Sequence, residues 1–168
     1  MSPWMVQVAT AALGSLGFAM FFGERMPKLI FSMIGGALTW GVYLFGMEMG
    51  ALETTAYALG AAAGTLYAEI LARCLKTPVT LFAITSVIPM VPGGSLYYTM
   101  LGLLQGNRTT FVTKGLYTLS VAGAMALGMF AATMLFRIVL VIVIEIAGLF
   151  QGNSGKAKQK SVRKTDAK

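Results

Sequence analysis

Apolar residues fill this chain in long runs, and short polar stretches separate them. The runs cover residues 5–22, 29–47, 54–72 and 79–104, and a fifth extends from 115 to at least 136. Each supplies roughly the 20 residues a helix needs to cross the hydrocarbon core of a bilayer. The pattern predicts an all-α polytopic membrane protein with about five transmembrane helices. The first run ends at Gly23-Glu24-Arg25-Met26-Pro27-Lys28 and has no basic start. More spans follow it, so it reads as a retained helix and not as a signal peptide. The fourth run differs from the others, because Pro89, Pro92, Gly93 and Gly94 interrupt it and should break its helix.

Beyond Arg137 the chain stays apolar through residue 150 except at Glu145. A single helix over 115–150 would extend about 54 Å at 1.5 Å per residue, against a hydrocarbon core about 30 Å thick. The excess must tilt, project into water against a partner, or bend along the interface. A sixth span is disfavoured, being short and placing the basic tail outside. The expected organisation is therefore a transmembrane module at 1–150 and a disordered basic cytoplasmic tail at 151–168.

Basic residues set the orientation. Arg25 and Lys28 follow the first span, Arg73 and Lys76 follow the third, and the tail holds Lys156, Lys158, Lys160, Arg163, Lys164 and Lys168. Only Arg108 and Lys114 fall on the other side, and the 48–53 connection has no basic residue. The bias places the N-terminus outside and the C-terminus in the cytoplasm.

Composition agrees with a membrane setting. The chain is 57% hydrophobic and 11% charged, whereas soluble domains are about a quarter charged. The net charge of +7 is concentrated in the tail, where the positive-inside rule accounts for it better than nucleic-acid binding does. With one cysteine, Cys74, and no histidine, an intrachain disulfide and a Cys/His metal site are both excluded. Gly60 and Gly64, and likewise Ala124, Gly128 and Ala132, have the spacing of close helix contacts. That spacing serves packing within the bundle and contact with a second subunit equally well.

The chemistry centres on the broken span. If it enters from the cytoplasmic side at Pro78, Pro89 lies about 16 Å deep, near the middle of the bilayer. Pro89 takes the helical partner from the carbonyl of Thr85, and Pro92 takes it from that of Ile88. A second half-helix can restart around Gly94–Ser95. Two polar ends then face each other at mid-depth: carbonyls suited to a cation or amine, and N–H groups suited to a carboxylate. Discontinuous helices of this kind carry the substrate sites of secondary transporters; a plain proline kink without a ligand is the alternative. Ser95, Tyr98 and Thr99 can add hydroxyls, while Tyr97 and Tyr98 equally suit an interfacial anchor. Glu69 is the deepest clear carboxylate and the leading candidate for proton coupling. Its i,i+4 spacing to Arg73 fits a local ion pair equally well.

No nucleotide-binding loop, metal-ligand spacing or nucleophile elbow occurs. The sequence thus points to no catalytic residue, cofactor or metal, and away from an enzyme. An intramembrane enzyme would need an acid/base pair, and Glu69 has no clear second member.

Residues 66–78, Leu-Tyr-Ala-Glu-Ile-Leu-Ala-Arg-Cys-Leu-Lys-Thr-Pro, and 88–100, Ile-Pro-Met-Val-Pro-Gly-Gly-Ser-Leu-Tyr-Tyr-Thr-Met, resemble the threonine/serine exporter family. The similarity is to its small, C-terminal-type (YjjB-like) membrane subunit, and it covers the chain from the first span to the fifth. The resemblance implies half of a secondary exporter in a bacterial cell (inner) membrane, working with a larger YjjP-like subunit. The exported substrates would be threonine and serine or dicarboxylates such as succinate. Pro89, Pro92, Gly93, Gly94, Ser95, Tyr98, Thr99 and Glu69 are the expected substrate or ion pathway. The alternatives are a non-transporting membrane scaffold and a self-sufficient homo-oligomeric transporter.

Overall fold

A computed structural model describes residues 3–165, with side chains through residue 143 together with Glu145. The described residues form six α-helices and a 3-10 turn: α1 (Pro3–Phe21), α2 (Lys28–Glu48), α3 (Glu53–Cys74), α4 (Val79–Val87), the turn Ile88–Met90, α5 (Gly93–Leu104) and α6 (Arg108–Thr165). They contain no strand. This is the all-α membrane architecture the apolar runs predict.

Among the described residues three helices are long and apolar enough to cross a membrane: α1, α2 and the stretch Arg108–Val143 of α6. Val79–Met90 and Gly93–Leu104 pass the same test as one span bent by 62°. The helix expected as the third span, α3, has the length, at 22 residues, but not the same apolarity. Its position explains this. It has nine buried residues against three in α1 and six in α2, so neighbouring helices and not lipid meet much of its surface.

The chain divides into two compact units, Met1–Thr133 and Met134–Lys168. In the first, α2 packs against α1, α3 and α4, and α3 also packs against α4. Small residues permit these approaches. A Cβ on Gly60 would lie 2.7 Å from Met90 Cε and 2.9 Å from the Thr39 carbonyl oxygen, and one on Gly64 would lie 2.7 Å from Thr39 Oγ1. On α6, a Cβ on Gly128 would overlap the carbonyl of Ala58, and Ala132 is buried. Both small-residue stripes thus serve packing within the chain. Two apolar clusters form around them. One joins Tyr57, Ala61, Val87, Met90, Val121 and Met125, and the other joins Ala68, Ala72 and Phe82.

In the second unit, the helix exposes Leu135, Ile138, Val139, Val141, Ile142 and Val143. Arg137 and Glu145 are exposed as well. The helical backbone continues through Thr165. Adding residues to an existing helix requires no new nucleus, and Lys and Gln are good helix formers.

The other end of α6 differs from expectation, starting at Arg108 and not near Gly115. Asn107 accounts for this: its Oδ1 accepts the N–H of Thr110 at 3.1 Å, an N-cap that fixes the helix start.

Candidate functional site: a broken span and a buried carboxylate

The expected break is present. Helix α4 ends at Val87, and a 3-10 turn over Ile88–Met90 carries Pro89. Pro92 then caps α5. The turn is held by Val91 N–H donating to the Ile88 carbonyl at 3.1 Å and Gly93 N–H donating to the Val91 carbonyl at 2.7 Å. Met90 is 1% exposed and anchors the turn in the first apolar cluster, against Gly60.

The two halves of the broken span have different surroundings. In α4, Phe82, Thr85, Ser86 and Val87 are buried; in α5 only Gly102 is. A Cβ on Gly93 or Gly94 would meet nothing within 4 Å. Leu96, Tyr97, Tyr98, Met100, Leu103 and Leu104 are all exposed. Helix α5 touches α6 through Gly102, packed against Phe111 and Thr110, and through Thr99, which approaches Gly115.

The expected pathway residues therefore fall into three groups. Pro89 and Pro92 are half-buried and shape the bend. Gly93, Gly94, Ser95, Tyr98 and Thr99 lie together on the first two turns of α5. There the Thr99 hydroxyl donates to the Ser95 carbonyl at 2.8 Å, and the Tyr97 and Tyr98 rings meet edge to face at 5.4 Å. Glu69 stands apart. Met90 places the break beside Gly60, nine residues along α3 from Glu69, or about 13 Å of helix axis. Glu69 Oε2 accepts from Arg73 Nη1 at 2.5 Å, and the same nitrogen donates to the Glu69 carbonyl at 2.6 Å. The local ion pair is thus formed.

Sequence reasoning missed a second carboxylate. Gly23 adopts φ +74 and ends α1 in a Schellman turn, with Gly23 N–H donating to Met20 and Glu24 N–H to Ala19. The turn folds Glu24 back into the bundle, where it is 8% exposed. Its Oε2 accepts from the Ser32 hydroxyl at 2.7 Å, and Ser32 Oγ accepts from Thr85 Oγ1 at 3.1 Å. Its Oε1 is buried without a hydrogen-bond partner, as are the hydroxyls of Ser15 and Ser86. Those two serines pack where Cβ atoms on Gly36 and Gly35 would otherwise lie. Burial pushes the Glu24 carboxyl above its ordinary 4.5, with the Ser32 hydrogen bond and the charge of Lys28 opposing the shift. A sequence signal existed: a helix-ending glycine followed at once by a carboxylate, with a serine inside the next apolar run.

At the opposite end of the helices, Trp40, Tyr43 and Tyr57 stack with centroids 5.1 and 4.6 Å apart. Beside them, Tyr117 donates to Glu53 Oε1 at 2.5 Å. Glu53 is exposed, as its place at the start of α3 requires, and Glu48 is exposed too. Among the described residues no three His, Cys, Asp or Glu side chains gather as a metal site.

Discontinuous helices like the α4–α5 pair occur in secondary transporters. The sequence profile described as Threonine/Serine exporter, ThrE, matches residues 7–135, and the chain belongs to that family. It is a family of transporters and not a class of enzymes. No solved structure matches the chain.

Proposed function

We propose that this chain is one membrane subunit of a secondary exporter for small carboxylate-bearing metabolites. Threonine and serine are the first substrates to test, and dicarboxylates such as succinate the second. The observation that carries this reading is the asymmetry of the broken span. Its first half is packed inside the bundle, and its second half begins at two glycines with open space beside them. Irregular backbone at membrane depth is tolerated where it lines a cavity or meets another protein element. A larger partner subunit facing α5 meets that requirement and completes a route of which this chain supplies one wall. Pro89 and Pro92 hold the bend, Gly93 and Gly94 let substrate approach the backbone, and Ser95, Tyr98 and Thr99 line the outer half. The N–H groups that open α5 suit a substrate carboxylate.

Co-reconstitution with the larger subunit and measurement of labelled threonine, serine and succinate efflux tests the reading. Efflux of at least one is expected, and efflux of none overturns the substrate assignment. Gly94→Leu fills the open space at the start of α5 and is expected to cut efflux at least tenfold while assembly with the partner persists. Normal transport by that variant removes the break from the mechanism.

A further inference from the structure

We propose that Glu24 is a proton-binding site whose occupancy is passed through Ser32 and Thr85 to the break between α4 and α5. Three elements build it. The turn after α1 supplies the carboxylate, α2 the Ser32 hydroxyl, and α4 the Thr85 hydroxyl, in bonds of 2.7 and 3.1 Å. Ser32 and Thr85 are fully buried, Glu24 is 8% exposed, and Glu24 Oε1 has no partner among the described residues. An ionised carboxylate in such a place leaves strong acceptor capacity unused, which is costly. One proton neutralises the group; carried on Oε2 it adds a donor facing Ser32 and leaves Oε1 a neutral carbonyl acceptor.

The charged surroundings favour a proton over a metal ion. Helices α1 and α4 contain no titratable side chain. From α2, Lys28 acts on Glu24 with a positive charge. From α3, Tyr67 donates its hydroxyl to the Phe31 carbonyl beside Ser32, and Glu69 is paired with Arg73. Among the described residues Glu24 thus has no counter-ion in contact, and the Ser32 hydroxyl donates its hydrogen to it rather than turning a lone pair into a shared cage.

The hydroxyl chain links this proton to the break. With Glu24 ionised, Ser32 donates to it and can accept from Thr85. With Glu24 protonated, its new O–H donates to Ser32, and Ser32 donates onward to Thr85. The Thr85 hydrogen then stays on the Leu81 or Phe82 carbonyl, at 3.0 and 3.3 Å. No atom leaves and one proton is added, so only the direction of the chain reverses. Thr85 lies one turn before Pro89, whose ring denies the Thr85 carbonyl its helical donor. A change in what Thr85 bonds therefore acts on the last regular turn before the bend. The use of this proton to drive export rests on the exporter reading; the site itself does not.

The full chain in lipid nanodiscs, without partner or substrate, tests the site. Infrared pH titration should show a protonated-carboxyl band with a midpoint above 4.5, lost in Glu24→Gln. Ser32→Ala should move the midpoint further upward, because it removes a hydrogen bond that favours the ionised form. Hydrogen exchange over residues 86–98, corrected for its intrinsic pH dependence, should differ severalfold across that midpoint in the wild type and not in Glu24→Gln. Four results overturn the proposal: no such band, a midpoint unmoved by Ser32→Ala, exchange at the break identical in wild type and Glu24→Gln, or a midpoint that falls with added sodium at constant ionic strength. Absence of efflux in the reconstituted complex would instead count against the exporter reading, with the titration unaffected.

Discussion

Lys76 closes α3 with φ +50, the left-handed region that side chains resist, so that Thr77 N–H can reach the Ala72 carbonyl at 2.9 Å. Three other turns in the chain solve the same problem with glycine, at Gly23, Gly50 and Gly106. A β-carbon in this conformation costs about 1–2 kcal/mol, partly offset by the greater freedom glycine has in the unfolded chain. Lys76→Gly is therefore expected to stabilise the protein by about 0.5–1 kcal/mol, read as a higher thermal midpoint in detergent; a fall in midpoint would contradict this. Glu24 gives the opposite kind of residue effect, one that depends on pH. Its carboxyl is pushed above 4.5 in the folded protein, so the folded state holds the proton more tightly than the unfolded chain does. That contribution is complete below the unfolded value and is lost as pH rises through the folded one. Thermal midpoints measured from acid upward should fall for the wild type across that window, and the Glu24→Gln variant should lack this component of the slope.

At the scale of elements, close contact between α3 and α6 depends on Gly128, which faces the Ala58 carbonyl with no room for a β-carbon. Backbone cannot retreat as a flexible side chain can, so Gly128→Val should force the helices apart and destabilise the bundle by about 1–3 kcal/mol. Gly123→Val is the control, since a Cβ there meets nothing within 4 Å. Equal losses at both positions would point to helix propensity and not to packing. The sequence made the stripe of Ala124, Gly128 and Ala132 visible but left open whether it faced this chain or another. Spacing reports that a surface is flat and small, and only the fold says what lies against it. The broken span was more legible, beginning at Val79, ending at Leu104 and breaking between Ile88 and Gly93, because proline and glycine act through covalent geometry wherever they stand. The start of α6 was hidden because Asn107 works through a single side-chain hydrogen bond. Glu24 was hidden because its neighbours Arg25 and Lys28 make it look like part of a solvated loop, and only the Gly23 turn reveals that it folds inward.

For the whole molecule, both proposed sites depend on which way the chain sits in the membrane. Arg25, Lys28, Arg73 and Lys76 lie in or beside the turns at one end of the helices, where the α1–α2 and α3–α4 connections fall. Arg108 and Lys114 lie at or just beyond the turn between α5 and α6. The four-residue end is the one the positive-inside rule assigns to the cytoplasm; in that orientation Glu24 would lie near the inner face and the exposed tyrosines of α5 toward the outer one. The single cysteine offers a direct test, because Cys74 is free and exposed at the four-residue end. A membrane-impermeant maleimide should leave Cys74 unlabelled in intact cells and label it in inside-out vesicles. In a Cys74→Ser background, Ala51→Cys, in the turn between α2 and α3, should show the reverse pattern. Labelling of Cys74 from outside would invert the orientation, so that Glu24 would take its proton from the external medium and the open face of α5 would look toward the cytoplasm.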